Sequence, residues 1–123
     1  MSRSIAFDGI RADVLAIVGA VPSGKVTTFG DIGGYMTVMP RHVAYILGRL
    51  TPDEQDRVAW YRVVGASGKL GKKKVDAMGR SQAELLQAES VVVRNGIVTD
   101  FERVFVPVVD LDCGVEPGKN YSK

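Results

Sequence analysis

The stretch that decides the fold runs Thr28-Phe29-Gly30-Asp31-Ile32-Gly33-Gly34-Tyr35-Met36-Thr37-Val38-Met39-Pro40-Arg41-His42-Val43-Ala44-Tyr45-Ile46-Leu47-Gly48-Arg49-Leu50. Thr28 is placed to cap a helix, with Asp31 three residues on as a shorter substitute for the usual glutamate of a capping pair. That helix is expected from Phe29 to Tyr35 or Met36, weakened by Gly33 and Gly34. After the turn Thr37-Val38-Met39, Pro40 suits the first position of another helix, where its missing N–H costs nothing. Val43, Ile46, Leu47 and Leu50 recur at helical spacing and define a buried stripe. Arg41, Ala44, Tyr45, Gly48 and Arg49 lie opposite. A short helix, a tight turn and a second helix showing small, aromatic and basic residues outward is the pattern of a helix-turn-helix.

Upstream, Ile10, Val14, Ile17, Val18 and Val21 share one helical face, with Asp8 available as N-cap; Pro22-Ser23-Gly24 ends that helix and Lys25-Val26-Thr27 forms a short extended link. Downstream, residues 51–56 form a polar loop, Val58 to Val64 an apolar stretch, and Gly65-Ala66-Ser67-Gly68 a turn. Ser81 to Ala88 is expected to be a helix, and Val91 to Val98 a hairpin turning on Asn95-Gly96, the wing of a winged helix. The fold class expected is mainly α with a small β hairpin, a winged helix-turn-helix-like domain over residues 1–110, with 111–123 a flexible tail.

The chain has 123 residues, one cysteine and one histidine. A lone Cys113 permits no internal disulfide, and a lone His42 leaves no metal-ligand spacing, so no metal and no cofactor are expected. Nothing near Cys113 in sequence would depress its pKa and make it a nucleophile. No apolar run is long enough to span a membrane and the N-terminus lacks a secretory hydrophobic stretch, so a soluble intracellular protein is expected; a monomer is expected too. Residues 22–74 carry nine Lys/Arg against four acids, within a chain of net charge +2. A basic middle between acidic flanks suits a polyanion that touches the middle alone.

Three segments resemble the DNA-binding domain of the O6-alkylguanine-DNA alkyltransferases, and more closely their alkyltransferase-like relatives, which bind such lesions without dealkylating them. Val21-Pro22-Ser23-Gly24-Lys25-Val26-Thr27-Thr28-Phe29-Gly30-Asp31-Ile32 is similar to the approach to that family's helix-turn-helix. Pro40-Arg41-His42-Val43 resembles the start of its recognition helix. Ala59-Trp60-Tyr61-Arg62-Val63-Val64, with Gly65-Ala66-Ser67-Gly68-Lys69-Leu70-Gly71, resembles its active-site run and glycine loop. The resemblance covers about residues 8–105.

By this resemblance Trp60 stands in place of the alkyl-acceptor cysteine and Tyr61 in place of its histidine. An indole offers no thiolate, and a phenol is a poor proton relay at neutral pH, so transfer chemistry at this position is not expected. The resemblance instead makes Trp60 a wall for a flipped guanine, within a lesion pocket of Trp60, Tyr61, Arg62, Val63, Gly68 and Gly71. The alternative for Trp60 is a core aromatic. Arg41 corresponds to the arginine that fills the gap left by the extruded nucleotide, and Ala44 and Gly48 to the small residues that approach the minor groove. Tyr45 departs from the family's usual glycine, and Phe29 stands where most members carry tyrosine. Lys72 and Lys73 border the pocket, where they would meet phosphates.

The implied function is a non-enzymatic sensor that binds O6-alkylguanine in double-stranded DNA through the minor groove, flips the nucleotide and flags it for nucleotide excision repair proteins. The implied location is cytoplasmic and nucleoid-associated in a bacterium, or nuclear in a eukaryote. A general helix-turn-helix regulator is the alternative; an active alkyltransferase using Cys113 is the remaining one.

Overall fold

The computed structural model describes residues 5–71 and 75–121. Helix α1 (Ile5–Ala20) lays Val14, Ile17 and Val18 into the core. Asp8 falls inside its first turn rather than at its cap, because the helix begins before it. Strand β1 (Thr27–Thr28) leads into α2 (Phe29–Met36), and Thr28 accepts the Asp31 amide at 2.9 Å as expected of an N-cap. The Asp31 carboxylate does not complete a capping box: its Oδ2 accepts the distant Val108 amide at 2.6 Å. Thr37 ends α2 in the left-handed conformation, and α3 (Pro40–Leu47) follows with proline in its first turn and Val43, Ile46 and Leu47 buried.

Gly33 is what lets α2 and α3 meet: a Cβ there would lie 2.7 Å from the Val38 carbonyl oxygen and 3.1 Å from the Pro40 nitrogen. The Gly33 carbonyl in turn accepts the Val38 amide at 2.9 Å, closing the turn. The backbone therefore builds the expected helix-turn-helix.

The polar stretch after Leu50 is not a loop but α4 (Pro52–Arg57), capped by Thr51 and Glu54 in a reciprocal capping box with proline in the first turn. A 3-10 turn (Trp60–Arg62) then feeds β2 (Val63–Val64), which runs parallel to β1 with Thr27 opposite Val63 and Thr28 opposite Val64. A second 3-10 turn (Ala66–Gly68) precedes α5 (Gln82–Gln87), and β3 (Val93–Arg94) and β4 (Ile97–Val98) form the expected hairpin. Asn95 and Gly96 both have positive φ, as a tight type I′-like hairpin turn requires. Helix α6 (Phe101–Val104) and a 3-10 turn (Val108–Asp110) complete the set.

The main core gathers α1, α2 and α3 around Trp60 and Val63; a smaller one joins Val26, Val64, Leu86, Val91 and Val98, and Tyr61 packs against both. Residues 111–121 are not a loose tail. Val115 is buried and its carbonyl accepts the Tyr35 hydroxyl, the Gly118 amide donates to the Tyr35 carbonyl at 2.8 Å, and Tyr121 donates to Asp13. Apolar residues at Leu111, Cys113 and Val115 give this segment something to bury, which its glycines and proline obscure in sequence. No described helix is long and apolar enough to cross a membrane.

Candidate nucleic-acid interface

Helix α3 turns Arg41, His42 and Tyr45 to solvent, with Ala44 half-buried among them, and Gly48 and Arg49 just past its end are exposed as well. Tyr45 is 53% exposed, and the Arg49 guanidinium lies 4.8 Å from the centre of its ring. Neither Arg41 nor Arg49 has a carboxylate partner among the described residues. Arg11, Arg57, Arg62 and Arg80, by contrast, are paired with Glu54, Asp53, Glu89 and Asp76. Two unneutralised guanidiniums, one at the start of α3 and one just past its end, beside an alanine and a glycine, make a surface that attracts anions and lets a groove come close. Phe29, at the first position of α2, is half-buried against the main core.

Of the residues expected to form a lesion pocket, Trp60, Val63 and Tyr61 meet in the main core as a closed interior, whereas Gly68 packs on Val98 of the smaller core. Trp60 is only 6% exposed, its ring meets that of Tyr61 edge-on at 5.8 Å, and its Nε1 is buried with no protein partner. Val63 is wholly buried. Gly68 is buried with φ +92, and a Cβ there would lie 3.1 Å from the Val98 carbonyl oxygen, so in the free protein this glycine serves packing rather than space for a base. Gly71 is exposed, and Lys72 and Lys73 lie outside the described residues.

Arg62 does not face the interface at all. Its guanidinium donates to the Val21 carbonyl at 2.7 Å and through Nε to Glu89 at 3.0 Å, while Glu89 also accepts the Tyr61 hydroxyl at 2.9 Å and the Gly24 amide at 3.1 Å. Burial by itself would raise the Glu89 carboxyl, but Arg62, the Gly24 amide and Tyr61 outweigh it and hold it below the ordinary glutamate range. Burial, then the Glu89 carboxylate, push the Tyr61 phenol above its ordinary value, which further removes it from proton transfer at neutral pH. Glu89 thus ties the segment before β1 to the turn before β2. Gln82 supports the same turn, its amide donating to the carbonyls of Tyr61 and Val63 at 3.0 and 2.9 Å. Neither residue stands out in sequence: each is a single polar side chain at the edge of a short helix.

A sequence model of the 6-O-methylguanine DNA methyltransferase DNA-binding domain matches residues 9–91. A DNA base-flipping protein of Vibrio parahaemolyticus is 34% identical over 89 residues, which are 70% of this chain and 84% of that protein. Alkyltransferase-like protein 1 of Schizosaccharomyces pombe is 31% identical over 88 residues, 70% of this chain and 80% of that protein. Among solved structures, the fold is similar to S. pombe Atl1 in complex with damaged DNA containing O6-carboxymethylguanine, with a TM-score of 0.70 at 24% identity over 85% of this chain and 98% of that one.

Proposed function

This chain belongs to the family of the 6-O-methylguanine DNA methyltransferase DNA-binding domain, and we propose that within it the protein is a non-enzymatic sensor of O6-alkylguanine in duplex DNA. It binds from the minor groove with α3, extrudes the damaged nucleotide, and leaves the lesion marked for nucleotide excision repair. The observation that carries this reading is Arg41: exposed at the start of the recognition helix, without a carboxylate, where a guanidinium can enter the duplex, stack on neighbouring bases and offset part of the few kcal/mol of unstacking. Ala44 and Gly48 beside it keep the approach unobstructed.

Trp60 supports the non-enzymatic part of the reading, since an indole cannot accept an alkyl group as a thiolate does. It supports the wall role only through a rearrangement, because the free protein keeps the ring covered. The unpartnered Nε1 favours that rearrangement: a buried donor without an acceptor costs about 1–3 kcal/mol, which a base offering acceptor atoms would recover. Tyr61 and Arg62, held by Glu89, form the fixed frame behind the pocket rather than its lining.

The protein is incubated with duplex DNA carrying O6-methylguanine, and the intact protein is weighed. Unchanged mass is expected; a methyl adduct, on Cys113 or elsewhere, refutes the sensor. Titration of labelled lesion and plain duplexes gives the second measurement. Arg41→Ala is expected to lose most of the lesion preference while keeping much of the background affinity. Equal affinity of the unaltered protein for both duplexes would make it a general DNA-binding protein instead.

A further inference from the structure

The hairpin that follows the matched family domain, together with Lys69 inside that domain, carries a feature that α3 does not explain. In the hairpin, Ile97 of β4 is the register partner of Arg94 on one side and of Lys69 on the other. Directly opposed residues of antiparallel strands project to the same face. Lys69, Ile97 and Arg94 therefore form one row across the two-stranded hairpin and the bridged loop beside it, all exposed, with Ile97 42% accessible. The opposite face carries the Val93–Val98 pair, and Val98 is buried in the smaller core. Neither Lys69 nor Arg94 has a carboxylate partner among the described residues, although the fold supplies one to most of its arginines.

The row is rigidly built. The Gly65 amide donates to the Lys69 carbonyl at 2.7 Å, closing the loop that bears Lys69, and the Leu70 amide donates to the Gly96 carbonyl at 2.9 Å, tying that loop to the hairpin tip. Its place in the fold follows from β1 and β2. Parallel strands leave a sheet at the same end: Thr28 passes into α2 and Val64 into the loop that carries Lys69. The hairpin row thus stands at the end of the sheet where the helix-turn-helix begins. Strand spacing sets the Lys69 and Arg94 backbones roughly 10 Å apart, within reach of phosphates on one duplex for two long side chains.

We infer that this hairpin face is a second DNA contact, a phosphate-binding wing formed by Lys69 and Arg94 on either side of Ile97. It rests on the protein's binding duplex DNA and is independent of lesion recognition. Each phosphate neutralised contributes about 0.9 to the slope of log affinity against log salt.

Fluorescence anisotropy of the full chain on undamaged duplex, between 50 and 200 mM KCl, tests it. The double variant Lys69→Ala, Arg94→Ala is expected to flatten the slope by about 1.8 and to weaken binding at 50 mM by on the order of a hundredfold. The ratio of lesion to plain affinity should not change. Arg94→Gln alone, at an exposed position with no partner to lose, should flatten the slope by about 0.9 with an unaltered melting temperature, and Arg94→Lys should retain it. An unchanged slope in the double variant and in Arg94→Gln overturns the wing, as does an acidic protein partner being the only ligand whose binding these variants impair. Equal affinity of the unaltered protein for damaged and plain duplex defeats the sensor reading, yet leaves the slope to decide the wing.

Discussion

Gly33 and Gly34 are neighbours in one helix, and replacing each by alanine should shift stability in opposite directions. In an exposed helix interior, glycine to alanine stabilises by roughly 1 kcal/mol through backbone entropy. Gly34 is exposed and a Cβ there meets nothing within 4 Å, so Gly34→Ala should realise most of that gain. At Gly33 the same Cβ would stand 2.7 Å from the Val38 oxygen, 3.1 Å from the Pro40 nitrogen and 3.3 Å from its Cα. All three are backbone atoms, so no side chain can swing aside, and α2 and α3 must separate. Overpacking of this kind costs about 1–3 kcal/mol, and with backbone atoms on all sides the upper part of that range applies, leaving a net loss of up to about 2 kcal/mol after the propensity gain. The loss should also appear in function, because the displaced element carries Arg41. Urea denaturation of both variants, followed by titration with duplex DNA, measures the two effects. Stabilisation by Gly33→Ala with unaltered affinity would refute the claim that this glycine sets the helix-turn-helix geometry.

The Arg62–Glu89 pair should be among the costliest contacts to break: Arg62→Ala leaves a mostly buried carboxylate and should destabilise by about 3 kcal/mol in urea at neutral pH. Glu89 is held below its ordinary range, so its contribution is fully present above the unfolded-state value and is lost as pH falls through the folded one. Stability measured from pH 6 to pH 3 should therefore drop, and Glu89→Gln should flatten that acid limb; an identical limb in the variant would count against the frame. Gly68→Ala combines positive φ with a Cβ 3.1 Å from Val98, and should cost about 2 kcal/mol in the absence of DNA. If thermal melting instead showed no change, the glycine would be kept for room at the DNA.

Much of the frame was legible because its signals are local. Thr28, Pro40 and the stripe Val43, Ile46, Leu47 placed two helices, and Asn95-Gly96 placed the hairpin turn. Helix α4 carries equally local signals in Thr51-Pro52-Asp53-Glu54, yet with no residue buried it lacks the apolar stripe that marks a helix against a loop. Asp31 suggested a capping box but lies where the chain returns 77 residues later with the Val108 amide, a partner no local pattern predicts. The strap at 111–121 was hidden for the same reason: its hydrogen bonds go to Asp13 and Tyr35, far away in sequence.

Charge shows the limit most clearly. The basic middle at residues 22–74 pointed to a polyanion, but local excess charge is a poor map of where that polyanion sits. Arg57 and Arg62 belong to this middle and are neutralised, one by a neighbour on its own helix and the other by an acid 27 residues away. Arg94 lies outside the middle and is not neutralised by any described carboxylate. Lysines and arginines look alike in a sequence; folding distinguishes them by bringing some to carboxylates and leaving others to solvent. A cation already paired offers a phosphate little net gain, because binding must first break the existing contact, whereas an unpaired one releases only counterions and water. Among the described residues, the electrostatic footprint thus draws on cations the fold leaves without a carboxylate: Arg41 on α3 and Arg49 just past its end, Lys69 and Arg94 beside the hairpin, and Lys25, whose Nζ donates only to the Arg103 carbonyl. That set joins two elements which the distribution of charge along the chain would have kept apart.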